Sequence, residues 1–500
     1  MSRRALAVAL GFVLLFVFRL IASLELGLGD AEALYFCYGL HPSLSYLDHP
    51  PLVGWLNAAV TDLFGPTVLS VRLVAFTTTG LTALVAYLFT RDLAGHRAGL
   101  ATLLLLLGTP VFTVGMAATT PDAPLSVLWL LFTWQLHRGL TDNKNGLWSL
   151  YGRPLLLGIL LGAAFLAKYT GACLVLTALI VLARGRGRIW LSRPSLYFAA
   201  LLAFAVTFPV LFWNWEHDFV GVYHRLVWTQ QSAGFSPRNF GALIGGQLLY
   251  MGPLMVPLLF YAGYRMWVGR RREPLRLILI AASLPGLLLT FLLVLWSDVA
   301  EPHWPGVAYL PLFVAAGIVV DEGGEKVRKL FRLAVAYGGL VFLVTNLLVL
   351  TPLWPRLGGE DYTPHYDLGN ELRGWPELRD SLRELNRERR PIVAAFYTIC
   401  SQLTFSMSGE KDPEVRCVSP ELDDFDIWYP EFSLPPEGAL FVTDNRFEHD
   451  PQTVLENVTV TLPPVTIEIV RGRRWVRRFR IYQIAPGDRS SPDAGGYGRD

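Results

Sequence analysis

The sequence predicts a polytopic α-helical membrane protein with a small C-terminal α/β domain. Three observations carry this prediction. Of the 500 residues, 52% are hydrophobic and 17% are charged; apolar runs long enough to cross a bilayer recur up to about residue 350; and the composition after them is that of a soluble protein. The net charge is +2, and no basic stripe interleaved with aromatic residues occurs, which excludes nucleic-acid binding.

The apolar runs indicate about eleven membrane spans. The runs at 154–167 and 170–183 are shorter than the ~20 residues of a typical span, so they form either two crossings or one re-entrant hairpin. The charges of the loops favour two crossings. The first run follows a basic start but lacks a clean A-x-A cleavage site, so we expect it to be retained as a helix. The runs lie near residues 5–23, 67–90, 98–116, 123–137, 154–167, 170–183, 196–213, 241–264, 276–296, 305–320 and 332–351.

Positive charge is distributed unequally between the loops that these spans define. One set of alternate loops carries twenty Lys and Arg residues, whereas the opposite set carries three, Lys168, Arg225 and Arg238. Cytoplasmic loops are the ones enriched in Lys and Arg. The sequence therefore predicts a multi-pass protein of the inner cell membrane with a cytoplasmic N-terminus. An odd number of spans places the C-terminal domain outside the cytoplasm.

The C-terminal domain is predicted to cover residues 356–485, after a transmembrane domain of residues 1–355. Residues 375–390 have the apolar spacing of a helix, "PIVAAFYT" and "GALFVTD" indicate buried strands, and the end of the domain is rich in strand formers. Residues 486–500 have the composition of a disordered tail. Cys400 and Cys417 form either a disulfide or two free thiols.

Acidic residues and histidines collect in the loops predicted to lie outside. The first outer loop, residues 24–66, contains no Lys or Arg. Its aromatic residues predict interfacial helices along the membrane surface, with the carboxylates facing a water-filled cleft because a charge in lipid is unfavourable. The outer-loop residues of this kind are Glu25, Asp30, Glu32, His41, Asp48, His49, Asp122, Glu216, His217, Asp218, Asp298, Glu301 and His303.

Several of these residues, and Lys168, also have a purely structural interpretation. Asp48 and Asp122 could each cap a helix, the "EHD" and "EPHWP" segments are ordinary for outer loops with interfacial Trp, and Lys168 could place its amine at the membrane interface. Their convergence on one side of the membrane favours a shared site. An acid-rich outer cleft with cations at the lipid boundary suits group transfer from a lipid phosphate. No GxxxxGK[ST] loop occurs, so the donor must arrive activated on its lipid.

Six motifs in order carry a family resemblance over residues 25–320. They are "GDAEALYFCYGLHPSLSYLDHPPLVGWL", "VRLVAF", "TTPDAPLSVLWL", "GAAFLAKYTGACLVL", "WNWEHDF" and "PHWPGVAYL". The sequence resembles the bacterial polyprenyl-phosphate-sugar glycosyltransferases of the GT-C fold, which are related to the protein O-mannosyltransferases and the lipid A aminoarabinose transferases. The blocks "DHPP" and "AKYT" are the most specific to this group.

The resemblance implies inverting transfer of a sugar from a polyprenyl phosphate, usually undecaprenyl phosphate, at the outer face of the membrane. The acceptor would be a hydroxyl group of a surface glycan, of lipid A or of a protein, and the sequence leaves the acceptor and the sugar open. A lipid-linked sugar transporter or flippase and a non-catalytic polymer-assembly partner are the alternatives. The absence of internal repeats disfavours a transporter.

The resemblance also assigns site residues. The family's first loop carries adjacent Asp and Glu; Glu32 falls on the Glu, whereas Ala31 occupies the Asp position and Asp30 precedes it by one residue. The catalytic base is therefore expected to be Asp30, with Glu32 and Asp48 as alternatives. The donor phosphate is expected at Lys168, then Arg72 or Arg225. A divalent cation, held by Asp48 and His49, is a candidate cofactor. The cleft is expected to be lined by His49, Asp122, Tyr169, Glu216, His217, Glu301 and His303.

Overall fold

The computed structural model describes residues 3–141, 146–230, 233–269, 276–297, 301–359, 362–364, 367, 369–409 and 412–487. The chain divides into two compact units. The membrane unit comprises Met1–Leu24 and Tyr38–Leu347, and the C-terminal unit comprises Glu25–Cys37 and Leu348–Asp500. Asp298 and residues 488–500, most of the predicted tail, lie outside the described residues.

All regular secondary structure among the described residues of the membrane unit is helical. Its helices, including α2 and α16, which each run into the C-terminal unit, are α1 (Arg3–Ser23), α2 (Asp30–Leu40), α3 (Leu52–Phe64), α4 (Val68–Ala94), α5 (His96–Leu107), α6 (Pro110–Thr113), α7 (Asp122–Thr141), α8 (Arg153–Ala167), α9 (Cys173–Leu182), α10 (Pro194–Glu216), α11 (Val220–Leu226), α12 (Pro237–Tyr250), α13 (Met255–Gly269), α14 (Leu277–Trp296), α15 (Leu310–Glu322) and α16 (Glu325–Leu350). The first outer loop thus contains α2 and α3.

Among the described residues, five helical stretches are long and apolar enough to cross a membrane. They are Val68–Ala94, Trp148–Ala167, Pro194–Glu216, Leu277–Trp296 and Glu325–Leu350. Other predicted runs are interrupted: α12 and α13 meet at 96° around Gly252, whose φ of 101° suits glycine. The run at 98–116 divides where Pro110 begins α6. The protein is a multi-pass membrane protein, and the count of about eleven spans stays a prediction.

Helix α15 forms the centre of the membrane unit. Every side chain from Leu310 to Val320 is buried, as expected for a helix that is apolar on all faces. Phe313 packs edge-to-face on Phe112, with ring centroids 5.5 Å apart. Nearby, the indole N–H of Trp129 donates to the carbonyl of Ala282 at 2.9 Å, which satisfies the polar atom of a buried ring.

Small residues let the helices approach closely. Gly158 of α8 faces Ala199 of α10, and a Cβ on Gly158 would overlap the Ala199 carbonyl group. Gly338 of α16 lies directly against the carbonyl of Gly108 at the end of α5, where a Cβ would also overlap. Close backbone approach through small residues is the usual packing mode of membrane helices, because lipid supplies little hydrophobic driving force between them.

The C-terminal unit is a five-stranded sheet with helices. The strands have the order β2-β1-β3-β5-β4; β1 pairs in parallel with β2 and β3, and β5 is antiparallel to β3 and β4. The elements are α17 (Leu353–Leu357), α18 (Trp375–Leu385), β1 (Ile392–Ala394), α19 (Tyr397–Ser406), β2 (Val415–Cys417), α20 (Asp424–Trp428), β3 (Ala439–Asp444), α21 (Pro451–Val454), β4 (Val458–Arg471) and β5 (Arg474–Pro486).

The segments predicted as buried strands form the central strands β1 and β3, all of whose residues are buried. The strand within "PIVAAFYT" is shorter than predicted, because its Tyr397 begins α19, the crossover that a parallel neighbour requires. The predicted helix 375–390 ends at Leu385. Cys400 and Cys417 form a disulfide that links α19 to β2.

Residues 25–37 of the first outer loop belong to the C-terminal unit, which a boundary at residue 355 does not anticipate. The N–H of Gly27 donates to the carbonyl of Leu372 at 2.8 Å. Phe36 packs edge-to-face on Phe405, with ring centroids 5.0 Å apart. These contacts place the first residues of α2 in the C-terminal unit.

The close contact at Gly338 gives a stability prediction. Replacing Gly338 by Ala forces apart the backbones of Gly338 and Gly108, so we expect a loss of about 1–3 kcal/mol in the free energy of unfolding. Thermal unfolding of the detergent-purified protein measures the effect. Gly80→Ala is the matched control: Gly80 lies in α4 with nothing within 4 Å of an added Cβ, so its variant should be at least as stable as the parent. Equal behaviour of the two variants would contradict the packing.

Candidate functional site

The "YLDHPP" segment forms a tight turn before α3. The N–H of Tyr46 donates to the carbonyl of His49 at 3.0 Å, and the ring of Tyr46 stacks on Tyr38 with centroids 3.8 Å apart. Gly54 leaves room for this ring, since a Cβ there would lie 2.5 Å from the Tyr46 hydroxyl. Pro51 is the N-cap residue of α3 and receives no side-chain cap. The carboxylate of Asp48 is therefore not a helix cap.

The Asp48 carboxylate instead faces two basic side chains of α11. Its Oδ1 lies 3.0 Å from His224 Nε2 and 3.2 Å from Arg225 Nη2. Arg225 also donates to the Asp48 carbonyl through Nε and Nη2, at 3.1 and 2.9 Å. Burial alone would raise the pKa of Asp48, but the hydrogen bond from His224 and the charge of Arg225 outweigh it and hold the pKa below its ordinary value. Asp48 is a carboxylate at neutral pH.

A sharp turn after α10 brings α11 to this position. Asp218 and Phe219 have φ angles of 52° and 59°, and the Phe219 N–H donates to the Asn214 carbonyl at 2.6 Å. Gly221 then lies against the first-loop backbone, since a Cβ there would be 3.3 Å from the Leu47 carbonyl oxygen. This close approach delivers the basic residues of α11 to the loop.

A second ion pair joins Asp122 at the start of α7 to Lys168, which follows α8. Lys168 Nζ donates to both carboxylate oxygens of Asp122, at 3.0 and 2.8 Å. His303 stands beside the pair, with Nε2 3.8 Å from Asp122 Oδ2 and Nδ1 3.6 Å from Glu301 Oε2. Burial lowers the pKa of His303, and Lys168 acts with it against the two carboxylates. His303 therefore favours its neutral form.

His49 lies within electrostatic reach of both ion pairs. Burial lowers its pKa to about 3, Arg225 and Lys168 act in the same direction, and Asp48 and Asp122 oppose them. The imidazole is therefore neutral at physiological pH. Polar residues from four separate loops of the membrane unit thus converge around one neutral histidine.

The other predicted residues of the membrane unit have different surroundings. Arg72 is buried in α4 and donates to the Ser23 carbonyl. The Tyr169 ring packs against Phe165, at 5.6 Å between centroids. His217 stacks on Trp213 at 4.3 Å, whereas Glu216 is exposed at the end of α10.

Asp30 and Glu32 lie in the C-terminal unit, at the start of α2. Asp30 accepts hydrogen bonds on both oxygens: Oδ2 from Arg446 Nη1 at 2.6 Å, and Oδ1 from Gln402 Nε2 at 3.0 Å. The buried Glu32 accepts from the Gly29 N–H at 2.9 Å and so satisfies a donor at the beginning of the helix. Arg446 extends from a loop that follows β3.

A buried chain of charges supports Arg446. Its Nε donates to Asp444 Oδ2 at 3.0 Å, and Asp444 is also bound by Arg477 of β5 at 2.6 Å, with both of these side chains fully buried. The guanidinium of Arg477 lies 4.2 Å from the ring centre of Trp375. Burial alone would raise the pKa of Asp444, but Arg477 and Arg446 outweigh it and lower the pKa.

The residues proposed for a divalent cation do not fit one. Asp48 Oδ1 already faces Arg225 and His224, whose positive charge or donated proton opposes a cation at that oxygen. Within the part of the chain that the structure describes, no group of three or more His, Cys, Asp or Glu side chains could hold a metal ion. No role for a metal follows from these residues.

Sequence reasoning missed His224, Gln402 and Arg446. His224 could have been found from the sequence, because "YHRLVW" places it next to Arg225, a predicted phosphate-binding residue. Gln402 and Arg446 lie far along the chain from Asp30, and no motif marks them.

The sequence is similar to a known family model and to a characterised relative. Residues 48–213 match the family model of dolichyl-phosphate-mannose-protein mannosyltransferase. The chain is 26% identical over 453 residues to the lipid A galacturonosyltransferase RgtD of Rhizobium johnstonii, covering 85% of this chain and 88% of RgtD.

Two crystal structures of ArnT from Cupriavidus metallidurans share the fold. The apo structure has a TM-score of 0.65 at 15% identity and covers 95% of this chain and 98% of ArnT. The structure bound to undecaprenyl phosphate has a TM-score of 0.62 at 16% identity and covers 94% and 97%. At these identities the likeness shows the fold.

Removal of Arg446 tests the charge chain of the C-terminal unit. Arg446→Met leaves Asp30 and Asp444 without their shared partner, so we expect a loss of about 3 kcal/mol in the free energy of unfolding. Arg478→Met is the control, since it removes an exposed pair with Glu468 (2.7 Å) worth about 1 kcal/mol or less. Denaturant unfolding of the purified full-length protein distinguishes the two variants, and equal losses would contradict a supporting role for Arg446.

Proposed function

We propose that this chain transfers a sugar from polyprenyl phosphate to a hydroxyl group of lipid A. Its similarities to known proteins support a glycosyltransferase of the GT-C type that uses a lipid-phosphate-linked sugar donor. The name of the relative RgtD supports lipid A as the acceptor class. The ArnT structure with undecaprenyl phosphate supports that lipid as the carrier. The proposed location is the outer face of the inner membrane, with the N-terminus cytoplasmic and the C-terminal unit extracytoplasmic.

The observation that carries the proposal is the convergence of Lys168 and Arg225 around His49. In the reaction, the acceptor hydroxyl attacks C1 of the sugar and the bond between C1 and the phosphate oxygen breaks with inversion. The phosphate gains negative charge as it leaves, and a fixed cation stabilises it more than it stabilises the bound donor. We assign the phosphate to Lys168 and Arg225 in preference to Arg72, because Arg72 is only 4% exposed, whereas the side chains of Lys168 and Arg225 are 14% and 37% exposed.

The base is proposed among the first-loop carboxylates Asp30, Glu32 and Asp48. Asp48 is the weakest candidate, because its lowered pKa reduces its affinity for a proton. Glu32 is buried and holds the start of α2. The sequence resemblance favours Asp30.

Mass spectrometry of lipids from a strain without this gene tests the function. We expect a polyprenyl phosphate carrying one sugar to accumulate, and lipid A to lose one sugar relative to the parent strain. Complementation with the intact gene is the control. An unchanged lipid A with loss of a sugar from another surface glycan or from a protein would reassign the acceptor, and no change in any sugar-carrying polyprenyl phosphate or glycan would contradict the proposal.

Substitution of the cations tests the phosphate assignment. We expect Lys168→Ala and Arg225→Ala each to lower kcat by about 100-fold, the usual effect of removing one stabilising donor from a developing anion. Arg238→Ala, which removes an exposed outer cation of α12, should leave transfer unchanged. Transfer is measured in the complemented strain and with purified protein at equal membrane abundance. Normal turnover in both Lys168→Ala and Arg225→Ala would refute the assignment.

A further inference from the structure

The tip of the β4–β5 hairpin carries a basic and apolar surface that the proposed reaction does not use. The turn residues Gly472 and Arg473 have φ angles of 56° and 73°, the left-handed conformation that a two-residue hairpin turn of this kind requires at both positions. Glycine or asparagine suits such a turn better than arginine does, so the stability of the turn does not explain Arg473. We define the hairpin-tip surface as Arg356, Leu357, Val470, Arg473, Arg474 and Trp475.

The hairpin tip is attached to the end of a membrane-spanning helix. Helix α16 is long and apolar enough to cross a membrane, and its last residue directly precedes Thr351, so the segment that follows lies at the level of the membrane surface. Arg471 Nη2 donates to the carbonyls of Val349 and Thr351, at 3.3 and 2.7 Å. A Cβ on Gly472 would lie 3.2 Å from Pro352. These contacts, all within the C-terminal unit, hold the tip at that level.

The arginines of the hairpin-tip surface differ from the other arginines of β5 in their partners. Each of the others faces a carboxylate, in the pairs Arg477–Asp444, Arg478–Glu468 and Arg480–Glu448. Among the described residues, the side chains of Arg356, Arg473 and Arg474 have no hydrogen bond or ion pair. A guanidinium donates to two phosphate oxygens at once, so these three cations are available to an anionic group.

Exposed apolar side chains accompany these cations. Leu357 is 72% exposed, Val470 60% and Trp475 38%. Val470 and Trp475 are paired across the hairpin, directly next to its turn, and Arg356 packs on the turn, since a Cβ on Gly472 would lie 2.9 Å from its Cγ. Indole rings and cations side by side are typical of the headgroup layer, where the ring is half buried and the cation meets phosphate.

We propose that the hairpin-tip surface binds the headgroups of anionic membrane lipids. The three arginines donate to the phosphates, and the apolar side chains enter the headgroup layer. The ligand is a bilayer lipid with a net negative charge, for which phosphatidylglycerol is the probe, and not the sugar donor, whose phosphate is assigned to the membrane unit. This contact docks the C-terminal unit on the membrane surface.

A fluorescent label tests the location of the hairpin tip. Val470→Cys and its matched control, Leu462→Cys, are labelled with bimane in the full-length protein. Both positions are exposed in β4 and lie about 25 Å apart along the strand. The four native cysteines do not compete for the label, because two are buried and two form a disulfide.

The labelled proteins are placed in phosphatidylglycerol nanodiscs that contain a lipid with a nitroxide on its headgroup. We expect quenching of the label at Val470 to be several-fold stronger than quenching of the label at Leu462, because only the hairpin tip reaches the headgroups. Equal quenching at the two positions would overturn the inference.

Lipid binding tests the charge of the ligand. Native mass spectrometry of the detergent-purified full-length protein compares the affinities for phosphatidylglycerol and phosphatidylcholine. We expect Arg473→Gln with Arg474→Gln to lower the affinity for phosphatidylglycerol by about 25-fold, about fivefold for each arginine, and to leave the affinity for phosphatidylcholine unchanged.

Arg387→Gln with Arg389→Gln is the matched control, since it removes the same charge from exposed positions beyond the end of α18, and it should keep the parent affinities. An equal loss in the two double variants, or a parent-like affinity for phosphatidylglycerol without Arg473 and Arg474, would overturn the inference. So would an equal loss for both lipids, because an anionic headgroup would then not be the ligand. Neither measurement needs sugar transfer, so a failure here is distinguishable from a failure of the proposed function.

Discussion

The carboxyl groups at the start of α2, Asp30 and Glu32, and the neighbouring Glu371 depend on the buried ion pair between Asp444 and Arg477. Asp444 also binds Arg446, which reaches Asp30. On its other side, Arg477 Nη1 donates at 3.3 Å to the carbonyls of Asn370, Glu371 and Arg373. One guanidinium therefore orders the backbone that carries Glu371 and, through two further residues, the carboxylate of Asp30. A buried pair of this kind stabilises the fold only while both partners are present, because removing one partner leaves the other charge uncompensated.

In the membrane unit, buried charges are compensated by separate ion pairs instead of by one connected chain of charges. Lys168 is opposite Asp122, Arg225 is opposite Asp48, and the histidine near both pairs is neutral. Paired charges are tolerated where water is scarce, whereas two unpaired cations would be costly. A lipid phosphate that binds Lys168 must therefore share the ammonium with Asp122. A site of this kind attracts an anion without carrying a large net charge when the anion is absent.

The sequence located both members of the Asp122–Lys168 and Asp48–Arg225 pairs, but it missed the other partners, His224, Gln402 and Arg446. Loop composition and the "DHPP" and "AKYT" blocks selected Asp48, His49, Asp122 and Lys168, which the structure brings together. Apolar periodicity selected the central strands β1 and β3. The pairing of Asp30 with Arg446 joins positions 416 residues apart and is set by the packing of β3, β5 and α2, which no local pattern encodes.

This chain has Ala31 where the family motif carries Asp, and the structure shows which acids surround that position. The resemblance places an Asp where this chain has Ala31, yet the start of α2 keeps Asp30 and Glu32, and Glu371 stands beside them. Asp30 accepts hydrogen bonds from Arg446 and Gln402, and burial and then the charge of Asp30 raise the pKa of Glu371. The start of α2 thus has neighbouring carboxyl groups without an acid at position 31.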